Sequence, residues 1–353
     1  MNMGRLSGTC ILTIYSILSC NEEIVSVKTQ KYFHEQVPFS APFSQNSAKV
    51  SIFVDPLIWT AREAGTDCWA EGFASGKSFI SNNLEQVRFR WDLGVRIGAC
   101  YEIKHDQWDT QLFYTWFKTQ GKDYASRGPG SMHSTFLGNF YVNNPEGAGI
   151  TGPAYESASI EWAIKLQTFD VELGRKFLVS KSVELRPFIG AKGGWIHQFI
   201  HSKWYRPQLD KPPFFNLGIE NIKNNFWGIG PEIGINTTWA LFNGRHNSFG
   251  FFEDISGAIM YGHWAFSDVY NNDINQKIII DSQPINGGAS MLRIFTGLEW
   301  DAEWRQNCYQ WCTKLGYEVQ CWLNQLQFYS FTGGRLGNQL TLQGVTFEFC
   351  FGF

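Results

Sequence analysis

The chain closes on Val345-Thr-Phe-Glu-Phe-Cys-Phe-Gly-Phe353, in which apolar residues occupy every second position. Val345, Phe347, Phe349, Phe351 and Phe353 share one parity, and Thr346, Glu348, Cys350 and Gly352 share the other. Such alternation predicts a β-strand with one apolar face. In a transmembrane barrel the last strand pairs with the first, so that no open edge faces lipid. We therefore expect the apolar set to form the closing strand, and the terminal aromatic residue to act as a signal for barrel assembly. The alternative is the last strand of a soluble β-sandwich.

The composition favours the barrel. Aromatic residues make up 16% of the 353 residues (Phe 30, Trp 15, Tyr 13), Gly numbers 35, and charged residues are 17%, below the usual quarter. Mean hydropathy is −0.22, and beyond the N-terminus no run approaches the roughly 18 apolar residues that a transmembrane helix needs. Strands that alternate between lipid and an interior produce this combination. A net charge of −3 excludes a globally basic protein that binds nucleic acid.

The N-terminal region has the features of an export signal. Residues 1–20 contain one positive charge followed by a short apolar run, which predicts a secretory signal peptide. The alternative is a lipoprotein signal, because Ile17-Leu-Ser-Cys20 partly resembles a lipobox. Residues 21–48 are polar and contain prolines, so they are expected to be a periplasmic lead-in to a barrel formed by residues 49–353.

Alternating segments recur along residues 49–353. The connections between them are alternately short turns and longer loops. The fold class is therefore all-β: a single transmembrane antiparallel β-barrel of about ten strands, with short periplasmic turns and long extracellular loops. Twelve strands would result if 72–80 and 132–142 added a pair. The predicted strands are 50–59, 87–102, 108–118, 158–178, 183–200, 225–241, 247–265, 290–304, 309–323 and 345–353. The segment 158–178 changes phase near Thr168, which predicts a bulge or a boundary between membrane and loop-side regions.

Tryptophans near both ends of several apolar stripes argue against a soluble sandwich. The pairs are Trp108 with Trp116, Trp227 with Trp239, and Trp300 with Trp304. Aromatic rings of this kind form girdles at the two membrane interfaces.

Two hairpins resemble a known family. The first carries Asp170-x-Glu172-x-Gly174-Arg175, the turn Val179-Ser180-Lys181, Leu185-Arg186-Pro187-Phe188 and Gly194-Trp195-Ile196. The second runs from Trp91-Asp92-x-Gly94 through Trp108-Asp109 to Trp116-Phe117. Both are similar to hairpins of the Legionella-type pore-forming outer-membrane proteins, a major outer membrane protein-like family expanded in Chlamydia-like bacteria. The resemblance implies a pore in the bacterial outer membrane.

Strand parity predicts a lumen lined with charges of both signs. Two functions are open: a salt-bridged plug that fills a narrow barrel, or an eyelet that selects solutes by charge. The principal residues expected to face the lumen are Arg88, Arg90, Arg96, Asp170, Glu172, Arg186, Lys192, Arg293, Glu299 and Glu348.

The cysteines and histidines give no catalytic motif. Cys308-x3-Cys312 lacks histidines at ligand spacing, so no metal site or other cofactor is expected. Envelopes of Chlamydia-like bacteria rely on cysteine cross-links, which makes Cys68 and Cys308 candidates for disulfides to other envelope proteins. An outer-membrane hydrolase would need a loop histidine such as His133 or His201 beside acids, and we expect no enzyme.

The sequence thus predicts a porin-like channel for passive diffusion of small hydrophilic solutes. The alternative is a closed barrel that acts as a surface adhesin or structural envelope protein. Expected partners are outer-membrane lipid and lipopolysaccharide, the barrel assembly machinery, and further copies of the chain or disulfide-linked envelope proteins, but not nucleic acid.

Overall fold

The structure is a computed structural model. It describes residues 49–64, 68–75, 80–103, 107–127, 132–135, 137, 155–206, 215–244, 247–275, 277–304, 309–329 and 335–353. The predicted signal peptide and lead-in lie outside these residues. Among the residues described, none belongs to a helix long and apolar enough to cross a membrane.

The described residues form fifteen strands. They are β1 (Lys49–Glu63), β2 (Cys68–Ser75), β3 (Ile80–Gln86), β4 (Asp92–Glu102), β5 (Trp108–Ser126), β6 (Met132–Ser134), β7 (Ser157–Arg175), β8 (Phe177–Ser180), β9 (Val183–Tyr205), β10 (Leu217–Asn243), β11 (Asn247–Asn272), β12 (Lys277–Asp281), β13 (Ile285–Trp304), β14 (Tyr309–Tyr329) and β15 (Arg335–Gly352).

Ten of the strands close into one antiparallel barrel. The order around the ring is β1, β4, β5, β7, β9, β10, β11, β13, β14, β15, and β15 pairs back onto β1. Strands β8 and β12 extend its rims by pairing with β9 and β11, whereas β2, β3 and β6 form a separate three-stranded sheet. Residues 72–75, 80 and 132–134 of the predicted segments 72–80 and 132–142 therefore belong to this small sheet instead of enlarging the barrel, and the ten-strand prediction is confirmed.

The first and last strands pair with each other, as predicted. Ser51 pairs with Gly352, and the ladder continues to Glu63 and Leu340. Two backbone hydrogen bonds between Val50 and Phe353 (3.2 and 3.0 Å) extend it to the last residue. Both chain ends of the barrel thus lie at the rim where β4 runs into β5, β10 into β11 and β13 into β14. We call this rim the turn end and the opposite rim the loop end.

An apolar belt surrounds the barrel on its outside. On β10 the outward residues from Trp227 to Trp239 include Ile229 and Ile233, which are 57% and 66% exposed. Beyond Trp227 toward the loop end, the outward residues become polar, as at Asn225. Strand β10 has 27 residues, whereas about 9–11 suffice to cross a bilayer, so it extends past the membrane.

The phase change predicted near Thr168 is a boundary and not a bulge. Strand β7 pairs without a register shift along both edges, and its even-numbered residues are buried from end to end. Near the turn end these inward residues are charged (Asp170, Glu172), whereas near the loop end they are apolar (Trp162, Ile164). The reversal follows from the surroundings: inside the belt the outer face meets lipid, and beyond it the outer face meets water, so apolar side chains turn inward.

The same reversal explains why the strands are longer than predicted. Residues 119–126 and 201–205 were expected in loops, but they belong to β5 and β9. Six tryptophans with less than 2% exposure lie in buried positions of the protein: Trp59, Trp69, Trp162, Trp204, Trp264 and Trp322. Tryptophan therefore marks the interior as well as the outer belt, where Trp108, Trp227 and Trp300 are exposed.

Candidate functional site

Charged side chains fill the interior at the level of the apolar belt. We call this set the ionic layer. It comprises Asp55, Arg96, Asp109, Asp170, Glu172, Arg186, Lys192, Glu232, Asp254, Arg293, Glu299, Asp301, Lys314, Glu318 and Glu348. Each occupies the inward parity of its strand, so the alternation that gives the barrel its lipid-facing side also places the charges inside. Carboxylates clearly outnumber cations in the set.

Glu318 on β14 joins two arginines from opposite sides. Arg96 donates to it twice, from Nη2 to Oε1 at 2.7 Å and from Nη1 to Oε2 at 3.1 Å. Arg293 donates from Nε to Oε1 at 2.7 Å. Thr346 Oγ1 adds a hydrogen bond of 3.0 Å. Because both guanidinium groups and the carboxylate are buried, this cluster stabilises the closed ring only as long as it is complete.

A second cluster is built around Arg186 on β9. Its Nε donates to both carboxylate oxygens of Asp109 at 2.9 Å, and its Nη1 donates to Glu172 at 2.9 Å and to Asn236 Oδ1 at 2.7 Å. The guanidinium carbon also lies 5.4 Å from the centre of the Phe188 ring. Strands β5, β7, β9 and β10 are thereby joined across the lumen side of the sheet.

Lysines pair with three further carboxylates. Lys192 forms an ion pair with Asp170 and another of 3.3 Å with Glu232. Lys314 lies 3.5 Å from Glu348 and 5.2 Å from the centre of the Phe252 ring. These side chains are thus largely buried and paired with one another instead of standing singly in open water.

Arg88 and Arg90 do not belong to the ionic layer, contrary to the prediction. Both are exposed, while Val87 before them is buried and Phe89 packs edge-on against Trp162 with centroids 5.9 Å apart. Arg90 and Trp91 are exposed in succession, so the alternation shifts by one residue before β4 begins. The segment makes only an isolated bridge with Gly121 among its described residues, so no continuous ladder holds its phase. The other eight predicted lumen residues lie in the ionic layer.

An aromatic layer occupies the interior above the ionic layer, toward the loop end. Its centre contains Trp59, Phe117, Trp162, Phe226, Trp264, Phe266, Trp322 and Phe328, all with 4% exposure or less. Trp59 connects the two layers, since its Nε1 donates to Thr346 (3.0 Å) and its ring lies 5.7 Å from the Arg96 guanidinium carbon. Farther out, burial raises the pKa of the Tyr155 hydroxyl well above its usual range.

Part of β14 folds into this layer. Pairing with β13 ends at Ser290 and Leu323, and Asn324 has a φ of 56°, which turns the chain. Residues 325–328 are then all buried, and we call them the inward segment. Trp264 Nε1 donates to the carbonyl oxygen of Gln325 (2.6 Å), and Asn224 Nδ2 donates to that of Gln327 (2.7 Å). Sequence analysis missed this feature because no apolar alternation marks it.

The structure describes three of the four predicted cysteine and histidine positions. Cys68 begins β2 in the separate sheet, where its Sγ lies 3.7 Å from the carbonyl oxygen of Ala70, and Cys308 lies outside the described residues. His133 is in β6, whereas His201 on β9 bonds Asn221 Oδ1 at 2.8 Å. The disulfides to other envelope proteins stay a prediction.

A closed antiparallel barrel with an apolar outer belt, and with charges inside at the level of that belt, is the architecture of bacterial outer-membrane proteins. The comparison with protein families agrees. The chain belongs to the Legionella pneumophila major outer membrane protein precursor family, whose model matches residues 43–353. The resemblance of the two hairpins is thereby confirmed, and the protein is assigned to the outer membrane.

Two solved structures are more distantly similar to the chain. A Pseudomonas aeruginosa FadL homologue is similar at 8% identity and a TM-score of 0.27, over 87% of this chain and 90% of that one. The Pseudomonas putida toluene transporter TodX is similar at 5% identity and a TM-score of 0.22, over 89% and 91%. These values bear on neither substrate nor mechanism. No curated protein matches the chain.

Proposed function

We propose that this protein is an outer-membrane channel for passive diffusion of small hydrophilic solutes, without catalysis, and that the described conformation is its closed state. The observation that carries the proposal is the ionic layer. A barrel that served only as a scaffold could fill its membrane-level interior with apolar side chains, at no desolvation cost for charges. A charged interior instead offers passing ions and polar solutes groups that replace water.

The excess of carboxylates gives the channel a preference for cations. Glu318, Arg96 and Arg293 neutralise one another in part, and Lys192 and Lys314 each face more than one acid. The net field inside is therefore negative, which attracts cations and repels anions.

The inward segment closes the path. Its backbone is held by hydrogen bonds from Trp264 and Asn224, and Phe328 packs against Phe266 (centroids 5.7 Å apart) and Trp162 (6.3 Å). Residues 326–328 also pair with residues 336–338 of β15, so opening requires the segment to leave Trp264, Asn224 and the two rings and to move with that part of β15 toward the barrel wall.

Planar-bilayer recording of the refolded protein tests the proposal. The wild type should be mostly closed with brief, small openings, and N224A/W264F should be open more often. Each substitution removes the donor to a buried carbonyl group, which costs the closed state about 1–3 kcal/mol. The matched control is N225A/W227F, which changes the same residue types at outward positions of β10 and should behave as wild type.

A closed barrel that serves as a surface adhesin or structural envelope protein is the second candidate. The packed aromatic layer favours it, because a permanently filled interior leaves the loops as the functional surface. Absence of any discrete conductance in both the wild type and N224A/W264F, with the barrel folded, would overturn the channel and favour this candidate.

A further inference from the structure

Three potential metal ligands meet inside the turn end of the barrel. Ligand atoms of Glu299, Asp301 and Cys312 all lie within 4.8 Å of one another. Asp301 and Cys312 are directly paired across β13 and β14, and Glu299 lies two residues before Asp301 on the same face. The strand register therefore fixes the three donors relative to one another.

A second thiol lies on the next strand, outside the group of three. Cys350 on β15 is paired with Cys312, and both thiols are buried in one cluster with Phe53 and Cys100. Side chains that are directly opposite on neighbouring strands have Cβ atoms about 4.5–5.5 Å apart. Two thiols at this spacing can reach one ion.

Neutral groups donate hydrogen bonds to the two carboxylates. Glu299 accepts from Thr238 Oγ1 (3.1 Å) and from the Cys312 thiol (3.4 Å), and Asp301 accepts from Ser248 Oγ (3.1 Å). Lys314 is a nearby cation, which lies 3.5 Å from Glu348 and also interacts with Glu299. Partly buried carboxylates in such surroundings are stabilised by a bound cation.

We propose that Cys312, Cys350, Glu299 and Asp301 form a binding site for a divalent metal ion of the Zn²⁺ type. Thiolate together with carboxylate ligands selects zinc-like ions over Mg²⁺ or Ca²⁺, which prefer oxygen ligands alone. The site lies close to the turn end, since Asp301 is near the end of β13 and Cys312 near the start of β14. The spacing Cys308-x3-Cys312 could not indicate it, because the donors come from three strands.

The test uses the full chain refolded in detergent, reduced with a phosphine and freed of metal with a chelator. Co²⁺ serves as the spectroscopic probe and Zn²⁺ as its competitor. We expect one Co²⁺ per chain, with a thiolate-to-cobalt charge-transfer band that Zn²⁺ removes. The band should weaken in C312S and disappear in C312S/C350S. C312S, C350S and E299Q should each weaken binding by at least about tenfold, since even indirect support of a metal ligand is worth that much. Acidification should weaken binding, because protons compete for the thiolates.

C321S is the matched control, because Cys321 lies on the same strand as Cys312 at the opposite parity, near Thr341. It should bind Co²⁺ as the wild type does. A measurement on the wild type alone covers the case in which a variant fails to refold: Zn²⁺ should slow alkylation of Cys312 and Cys350 but not of Cys321. The proposal is overturned if the charge-transfer band is absent, if it persists in C312S/C350S, or if Zn²⁺ leaves the alkylation of Cys312 and Cys350 unchanged.

Discussion

At the scale of single residues, exposure determines what a charge contributes to this barrel. Glu318 and Arg96 are fully desolvated partners whose side chains are 0% and 5% exposed. Lys122 and Glu161 form a pair of similar length, 3.1 Å, but their side chains are 63% and 41% exposed. Removing one partner from the buried pair leaves an uncompensated charge in the interior. At the exposed pair, water hydrates the charge that remains.

We therefore expect Glu318→Gln to destabilise the barrel by about 3–5 kcal/mol. Glu161→Gln makes the same chemical change at the exposed pair and should cost at most about 1 kcal/mol. Urea unfolding of both variants in lipid vesicles measures the difference. Equal losses of stability would contradict the assignment of Glu318 to a desolvated cluster.

At the scale of the strand, one face changes its chemistry at the membrane boundary while the backbone stays regular. The inward face of β7 passes from Glu172 to Trp162 without a shift in pairing, and the outward face of β10 passes from Ile233 to Asn225 over the same height. The apolar belt is thus defined along each strand by its outward residues, with Trp227 and Trp239 at its edges on β10.

This belt predicts where a charge is tolerated on the outer face. Ile233→Arg places a cation at the centre of the belt and should cost about 2–4 kcal/mol, whereas Asn225→Arg lies beyond Trp227 and should cost about 0–1 kcal/mol. The same unfolding assay applies. A larger cost at Asn225 than at Ile233 would show that the belt is placed wrongly.

At the end of the closing strand, we expect one substitution to affect assembly in cells but not refolding in vitro. Phe353 is 53% exposed, and its contacts are backbone hydrogen bonds to Val50 and a ring contact with the exposed Phe351 (centroids 6.2 Å apart), so Phe353→Ala should refold in vitro as the wild type does. If the terminal aromatic residue is recognised by the assembly machinery, the variant should accumulate less folded protein in the outer membrane of cells. Normal levels in cells would remove the assembly role from Phe353.

Much of the fold follows from alternation, and the exceptions have physical causes. Parity within the belt correctly placed Arg96, Asp170 and Glu348 inside, because lipid outside fixes which face is apolar. Parity predicted the wrong side for Arg88, because the strand is not continuous there and no continuous ladder of backbone hydrogen bonds maintains the alternation. It could not predict the inward segment, because a turn at Asn324 depends on tertiary partners such as Trp264.

At the scale of the whole molecule, the barrel is a stack of two interior layers with different roles. The ionic layer lies within the membrane-level belt, and the aromatic layer lies beyond it and contains the inward segment. The first layer offers a negative, polar lining, and the second blocks it in the described conformation. The proposal of a channel depends on both: solutes cross the ionic layer only when the inward segment has moved.

The reversal potential of N224A/W264F in a planar bilayer under a salt gradient tests this account most directly. When the inward segment has moved, the current passes through the ionic layer, so the reversal potential should have the sign of a cation-selective pore. Glu232→Gln neutralises an inward acid and should reduce that cation selectivity. Anion selectivity in N224A/W264F, or selectivity that Glu232→Gln leaves unchanged, would contradict a path through the ionic layer.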